Sequence, residues 1–82
     1  MKIAEVIPGK DGTLRIIAED GRTGIFDLHP YLSSKAFKPL KDWEEFSKVR
    51  NGGYFIEWPC GADLSADTIE ARWKTDKVSM FR

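Results

Sequence analysis

Thr13 to Leu28 reads TLRIIAEDGRTGIFDL, and its reading decides the fold. Thr13 to Glu19 alternates, with Leu14, Ile16 and Ala18 on one face and Thr13, Arg15, Ile17 and Glu19 on the other. That period of two is a strand signal. Asp20-Gly21 follows, a strong hairpin dipeptide, because a type I′ turn needs positive φ at both central positions. A two-residue turn here pairs Glu19 with Arg22, a favourable cross-strand charge pair. It also pairs Ile16 with Ile25 on the core face and leaves Phe26 and Leu28 on the opposite face. Either a bulge shifts the register, or both faces are partly covered.

Outward from this hairpin, Ile3 to Ile7 is apolar and stops at Pro8-Gly9, so the expected meander has strands at 2–8, 13–19 and 22–28. Pro30 closes the third strand. Leu32, Phe37 and Leu40 are apolar anchors in a connecting segment. Asp42 is placed to cap a short helix, Trp43 to Lys48, with Glu45 three residues on completing a capping box. Asn51-Gly52-Gly53 reads as a turn and Tyr54 to Trp58 as a strand, with Tyr54, Ile56 and Trp58 on one side and Phe55 and Glu57 on the other. Pro59 and Gly61 fit a type I turn over Trp58 to Gly61. Ala62 to Leu64 is a short extended link. Ser65 caps a second helix from Ala66 to about Trp73, with Asp67 in its first turn complementing the dipole. Residues 74–82 read as a charged tail on a single domain, 1–82. The order βββ–α–ββ–α specifies a two-layer α+β domain with a small, mostly antiparallel sheet.

Composition narrows the function classes. A chain of 82 residues buries roughly 60–65% of its unfolded surface, which leaves room for one small core and little for a deep cavity. At 41% hydrophobic it can fold without staples. Thirteen basic residues balance 13 acidic ones, which removes the basic excess usual in nucleic-acid and anionic-membrane binders. A single cysteine forms no internal disulfide and suits a reducing compartment. The chain starts without a signal-peptide pattern and has no window of membrane-span length, so a soluble cytoplasmic protein without membrane association is expected.

Few residues suggest chemistry. Cys60 sits in a turn and has no neighbouring base in sequence. His29 and Asp27 can pair at a strand end, but one Cys and one His fall short of a zinc set. Gly9-Lys10-Asp11-Gly12 lacks the Lys-Ser/Thr and the helix of a phosphate loop. Asp67 has a helix-start role. Asp63 is less well explained and is the candidate acid or base, with Asp27 or Asp67 as partner. Three tryptophans, Trp43, Trp58 and Trp73, are many for this length and serve either a core or an interaction surface. Lys35, Lys38, Lys41, Lys48 and Arg50 with Phe37 and Trp43 make a basic–aromatic segment, interrupted by Asp42, Glu44 and Glu45.

Taken together, Asp20-Gly21, Phe26-Asp27-Leu28, Pro30, Leu32, Phe37, Leu40, Phe46, Val49, Ile56, Trp58-Pro59, Gly61-Ala62-Asp63-Leu64-Ser65 and Asp67-Thr68 resemble the bacterial domain-of-unknown-function family 2442 over roughly residues 2 to 72. The WP-x-GADLS-x-DT string carries most of the specificity. The resemblance implies a small α+β domain, similar to the N-terminal domain of longer members that carry a helix-turn-helix behind it. It also implies a genetic setting like that of toxin–antitoxin pairs, and it brings no catalytic residues. This chain departs from the pattern in lacking the helix-turn-helix, in having Cys60 at a turn position usually polar, and in its tail. The expectation is a non-enzymatic interaction module without cofactor or metal. Its partner is a small protein or a second copy, met through Trp43, Trp58, Pro59, Asp63 and Trp73. A DNA-linked regulator of antitoxin type and a small hydrolase-like enzyme using Asp63 are the alternatives.

Overall fold

A computed structural model describes residues 1–75. Two antiparallel sheets and two short helices give the α+β class expected. Strands β1 (Ile3–Pro8), β2 (Thr13–Ala18) and β3 (Thr23–Asp27) form the meander, and β7 (Lys74–Thr75) adds to β3. The second sheet holds β4 (Arg50–Asn51), β5 (Phe55–Glu57) and β6 (Asp63–Ser65). The sheets meet edge to edge. Ile3 N–H donates to Gly53 C=O at 2.7 Å, and the Asn51 side-chain amide donates to Ile3 C=O at 2.9 Å.

The hairpin register resolves the facing problem in the sequence. Ala18 N–H donates to Arg22 C=O, and Gly21 N–H donates to Ala18 C=O. Within this turn only Gly21 has positive φ, at 95°, and Glu19 and Asp20 do not. The turn therefore has three residues, with glycine forming the bulge, and is not the two-residue type I′ turn expected from Asp20-Gly21. The added residue shifts the pairing to Leu14 with Phe26 and Ile16 with Gly24. Leu14, Ile16, Ala18 and Phe26 then share the core face, and Leu28 is buried just beyond. Ile25 is paired with Arg15 on the other face. Arg22 bonds to Asp20 and Glu70 instead of Glu19, which pairs with Lys2.

The same device recurs between β5 and β6. Trp58 N–H donates to Ala62 C=O, Gly61 N–H donates to Trp58 C=O, and Gly61 has φ 101°. The expected Trp58–Gly61 turn is present, and the link at 62–64 becomes a paired strand.

Helix α1 spans only Trp43–Phe46, shorter than the expected 43–48. Asp42 caps it by accepting from Glu44 N–H, but the reciprocal half of the capping box does not form. Asp42 N–H is already bonded to Pro39 C=O in the 3₁₀ turn Lys38–Lys41, and Glu45 turns to Lys48 instead. Helix α2 spans Ala66–Arg72, with the Ser65 hydroxyl accepting from Thr68 N–H at 3.1 Å as its cap. It ends one residue earlier than expected, where Trp73 becomes extended. Lys74 and Thr75, expected in the tail, are strand; residues 76–82 of that tail lie outside the described part. Strand β4 was also not expected, because Asn51 reads as turn although Asn51 pairs with Ile56.

The core lies between the two sheets and the helices. Ile3, Leu14, Ile16, Phe26, Leu28, Ile56, Trp58 and Ile69 are its largest fully buried side chains. No buried side-chain nitrogen or oxygen lacks a partner among the described residues.

Candidate functional site

An aromatic chain links the core to the surface. Phe26 and Tyr31 have ring centroids 5.7 Å apart, Tyr31 and Phe37 5.5 Å, and Phe37 and Trp58 6.1 Å. Trp58 then stacks on Phe46 at 6.3 Å, and Phe46 meets Trp43 at 6.1 Å. Each step lies within the range in which aromatic pairs add stability beyond area burial. The chain begins in the sheet and ends at Trp43, which is 40% exposed.

Trp43 borders a cavity of about 200 Å³ with Leu32, Leu40 and Phe46 as its apolar lining and Lys10, Asp11, Gly12, His29 and Lys41 as its polar lining. Sequence order does not suggest this meeting, because four separate segments supply the residues. The β1–β2 loop brings Lys10 to Gly12. The 3₁₀ turn His29–Tyr31 brings His29, the turn Lys38–Lys41 brings Leu40 and Lys41, and α1 brings Trp43 and Phe46. Lys10 places its ammonium 5.8 Å from the centre of the Trp43 ring, a cation–π distance.

The carboxylates here are held by local hydrogen bonds. Asp27 Oδ1 accepts from His29 N–H at 3.0 Å and lies 2.6 Å from His29 Nδ1. The backbone N–H of His29 is the main reason that Asp27 is held below the ordinary carboxylate value, followed by the imidazole. With Asp27 anionic, Nδ1 donates. The pair expected from the sequence therefore forms, as a turn that opens the 3₁₀ segment. Asp11 is held low chiefly by the Thr13 hydroxyl, 2.6 Å away, and then by Thr13 N–H. Gly12 is required beside them. Its φ is +85°, and a Cβ there would come within 2.7 Å of the His29 ring.

The five residues proposed as an interaction surface occupy different places. Trp43 lines the cavity. Trp58 is 2% exposed and donates its indole N–H to Phe46 C=O at 2.9 Å, so it is a core residue and must be removed from any surface. Alternation along β5 already carries it inward, on the side of Ile56. Pro59 is exposed in the β5–β6 turn beside the exposed Cys60. Asp63 lies on the outer side of β6, opposite Glu57. Glu57 itself pairs with Arg50 at 3.7 Å. Trp73 is half-buried, against Gly24 and under the Arg22 guanidinium. None of Asp27, Asp63, Asp67 and Cys60 lines the cavity. No group of three His, Cys, Asp or Glu side chains able to hold a metal occurs among the described residues. Sequence reading missed Lys10 and His29 as neighbours of Trp43, and no local signal in the three segments links them.

In the basic segment, Lys48 pairs with Glu45 and Arg50 with Glu57. Among the described residues no helix is long and apolar enough to cross a membrane.

These features define a small α+β domain of two edge-joined antiparallel sheets around one aromatic core, with a side-chain-sized cavity at the end of that core. The sequence matches the family described as "Protein of unknown function (DUF2442)" over residues 3–75, and the chain belongs to that family. No curated protein and no solved structure matches it.

Proposed function

We propose that this domain is a non-enzymatic protein-interaction module of the bacterial cytoplasm, working in a toxin–antitoxin-like pair with a small protein partner. The observation that carries this reading is the exposure of four large apolar side chains: Ile7, Trp43, Tyr54 and Phe55 are 40–66% exposed. Aromatic side chains at the surface are the enriched component of interface cores. A cavity of about 200 Å³ is smaller than the roughly 300–1,000 Å³ of pockets for drug-sized ligands, which supports a docking surface over a cofactor site.

The test is a tagged capture from native lysate, with protein mass spectrometry and nucleic-acid staining on one eluate, repeated with a Trp43→Ala, Tyr54→Ala, Phe55→Ala variant. One stoichiometric small protein, lost in the variant, is the expected result. A partner-free monomer at working concentration contradicts it. A DNA-linked role is the second reading, supported by Lys35, Lys38 and Lys41, which are exposed and form no ion pair among the described residues. Nucleic acid released in proportion to salt would promote it, as counterion release requires.

A further inference from the structure

We propose that the cavity beside Trp43 is a receptor for the C-terminal residue of a partner chain, a large apolar side chain carrying its own free carboxylate. This rests on the interaction-module reading and names its site and the chemistry of its partner.

The apolar part follows from size and lining. An apolar cavity of roughly 150 Å³ is enough to hold a benzene ring. The space here is about 200 Å³, against Leu32, Leu40, Phe46 and the Trp43 ring. It therefore admits one aromatic or branched side chain and not a second. The charged part follows from the lysines. Lys10 and Lys41 both border the cavity, and neither has an ion pair among the described residues. The one acidic group in the lining, Asp11, accepts two bonds from Thr13 and keeps its negative charge, but forms no ion pair with either lysine among the described residues. Two cations against one carboxylate leave the lining net positive, which together with the apolar slot complements a ligand that is apolar and anionic. A chain terminus is the one place in a polypeptide where a single residue carries both a large apolar side chain and a carboxylate. An internal acidic residue next to an apolar one would need two side chains directed to the same small space.

Titration of the ¹⁵N-labelled protein with an N-acetylated tetrapeptide ending in phenylalanine, and with its C-terminal amide, tests this. The free acid should shift the resonances of Lys10, Gly12, Lys41 and the Trp43 indole N–H. The amide should bind roughly two- to five-fold more weakly, the loss expected for an ion pair with exposed lysines. Lys10→Gln with Lys41→Gln should reduce binding of the acid to the level of the amide. Both lysines are exposed, so the variant retains the fold, which the unshifted core resonances check. Equal binding of acid and amide overturns the proposal, as does the absence of shifts at millimolar peptide. If 3-phenylpropanoate binds as tightly as the peptide, the site is for small carboxylates and the chain-terminus assignment is overturned. Shifts confined to Tyr54 and Phe55 overturn this site while leaving the interaction module standing. Loss of the module itself is read separately, by the capture experiment.

Discussion

Trp58 and Trp43 flank the same Phe46 ring, at 6.3 and 6.1 Å, yet they do opposite work. Trp58 has lost nearly all contact with water and has its indole N–H satisfied by a backbone carbonyl. Trp43 keeps 40% of its surface exposed and faces a cavity whose polar lining includes Lys10, Lys41 and Asp11. An aromatic chain that is core at one end and surface at the other gives a small domain a firmly held surface ring, which the proposed interaction uses for docking, because the exposed ring is held by the buried ones behind it.

The largest way to break this comparison is Trp58→Ala. Large-to-small substitution of a buried aromatic costs about 3–5 kcal/mol. A chain of this length has roughly 4–12 kcal/mol in all. Urea titration should show a midpoint lowered by about a quarter or more, down to a protein unfolded in water at the low end of that range. Trp58→Phe keeps much of the volume but removes the indole bond to the Phe46 carbonyl, which keeps its longer bond from Val49 N–H at 3.3 Å, and should cost about 0.5–1.5 kcal/mol for that bond in the same titration.

Gly12→Ala attacks the cavity end. It meets both the positive φ and the His29 ring, so it should destabilise by about 2–3 kcal/mol and shift the His29 ring resonances. Gly21→Ala meets only the positive φ, with nothing within 4 Å, and should cost about 1–2 kcal/mol. Equal losses in thermal melts of the two variants would deny that His29 packs on Gly12. Trp43→Ala should cost about 1–2 kcal/mol, well below Trp58→Ala, because its ring is already partly in water.

The smallest effect is on pH dependence. Glu70 is held below its ordinary value of 4.5, first by the Arg22 guanidinium at 2.8 Å and then by the Met1 ammonium. Asp20 is held below 3.8, first by Arg22 N–H. Depressed carboxylates stabilise the folded state fully above their unfolded values, and that contribution is lost as pH falls below them. Melting temperature should therefore decline on acidification past pH 4.5. Arg22→Ala should make the decline shallower by releasing Glu70, while the backbone bond to Asp20 remains.

Much of the fold was legible because its signals are local. Alternation in β2, the Ser65 cap and the Pro59–Gly61 turn each depend on a few adjacent residues. The register of the first hairpin was half legible. The conflict between Ile25 and Phe26 left open a bulge or two partly covered faces, and only the backbone could show that Gly21 forms a bulge. Strands β4 and β7 carry two described residues each, too short to leave a period, and exist through pairing with β5 and β3. Family membership was legible from the WP-x-GADLS-x-DT string, whose residues now have structural places: Trp58 in the core, Gly61 in the turn, Leu64 inward on β6, Ser65 as the cap. The cavity was not legible. Lys10, His29 and Trp43 are each unremarkable in their own segments, and only the packing of the loop and the two 3₁₀ turns brings them together.

The most direct test is partner capture by the Trp43→Ala variant, measured alongside its urea midpoint. The expected result is loss of the partner with a midpoint lowered far less than by Trp58→Ala. Undiminished capture, or a stability loss as large as that of Trp58→Ala, would contradict the division between a tryptophan that holds the fold and one that meets a partner.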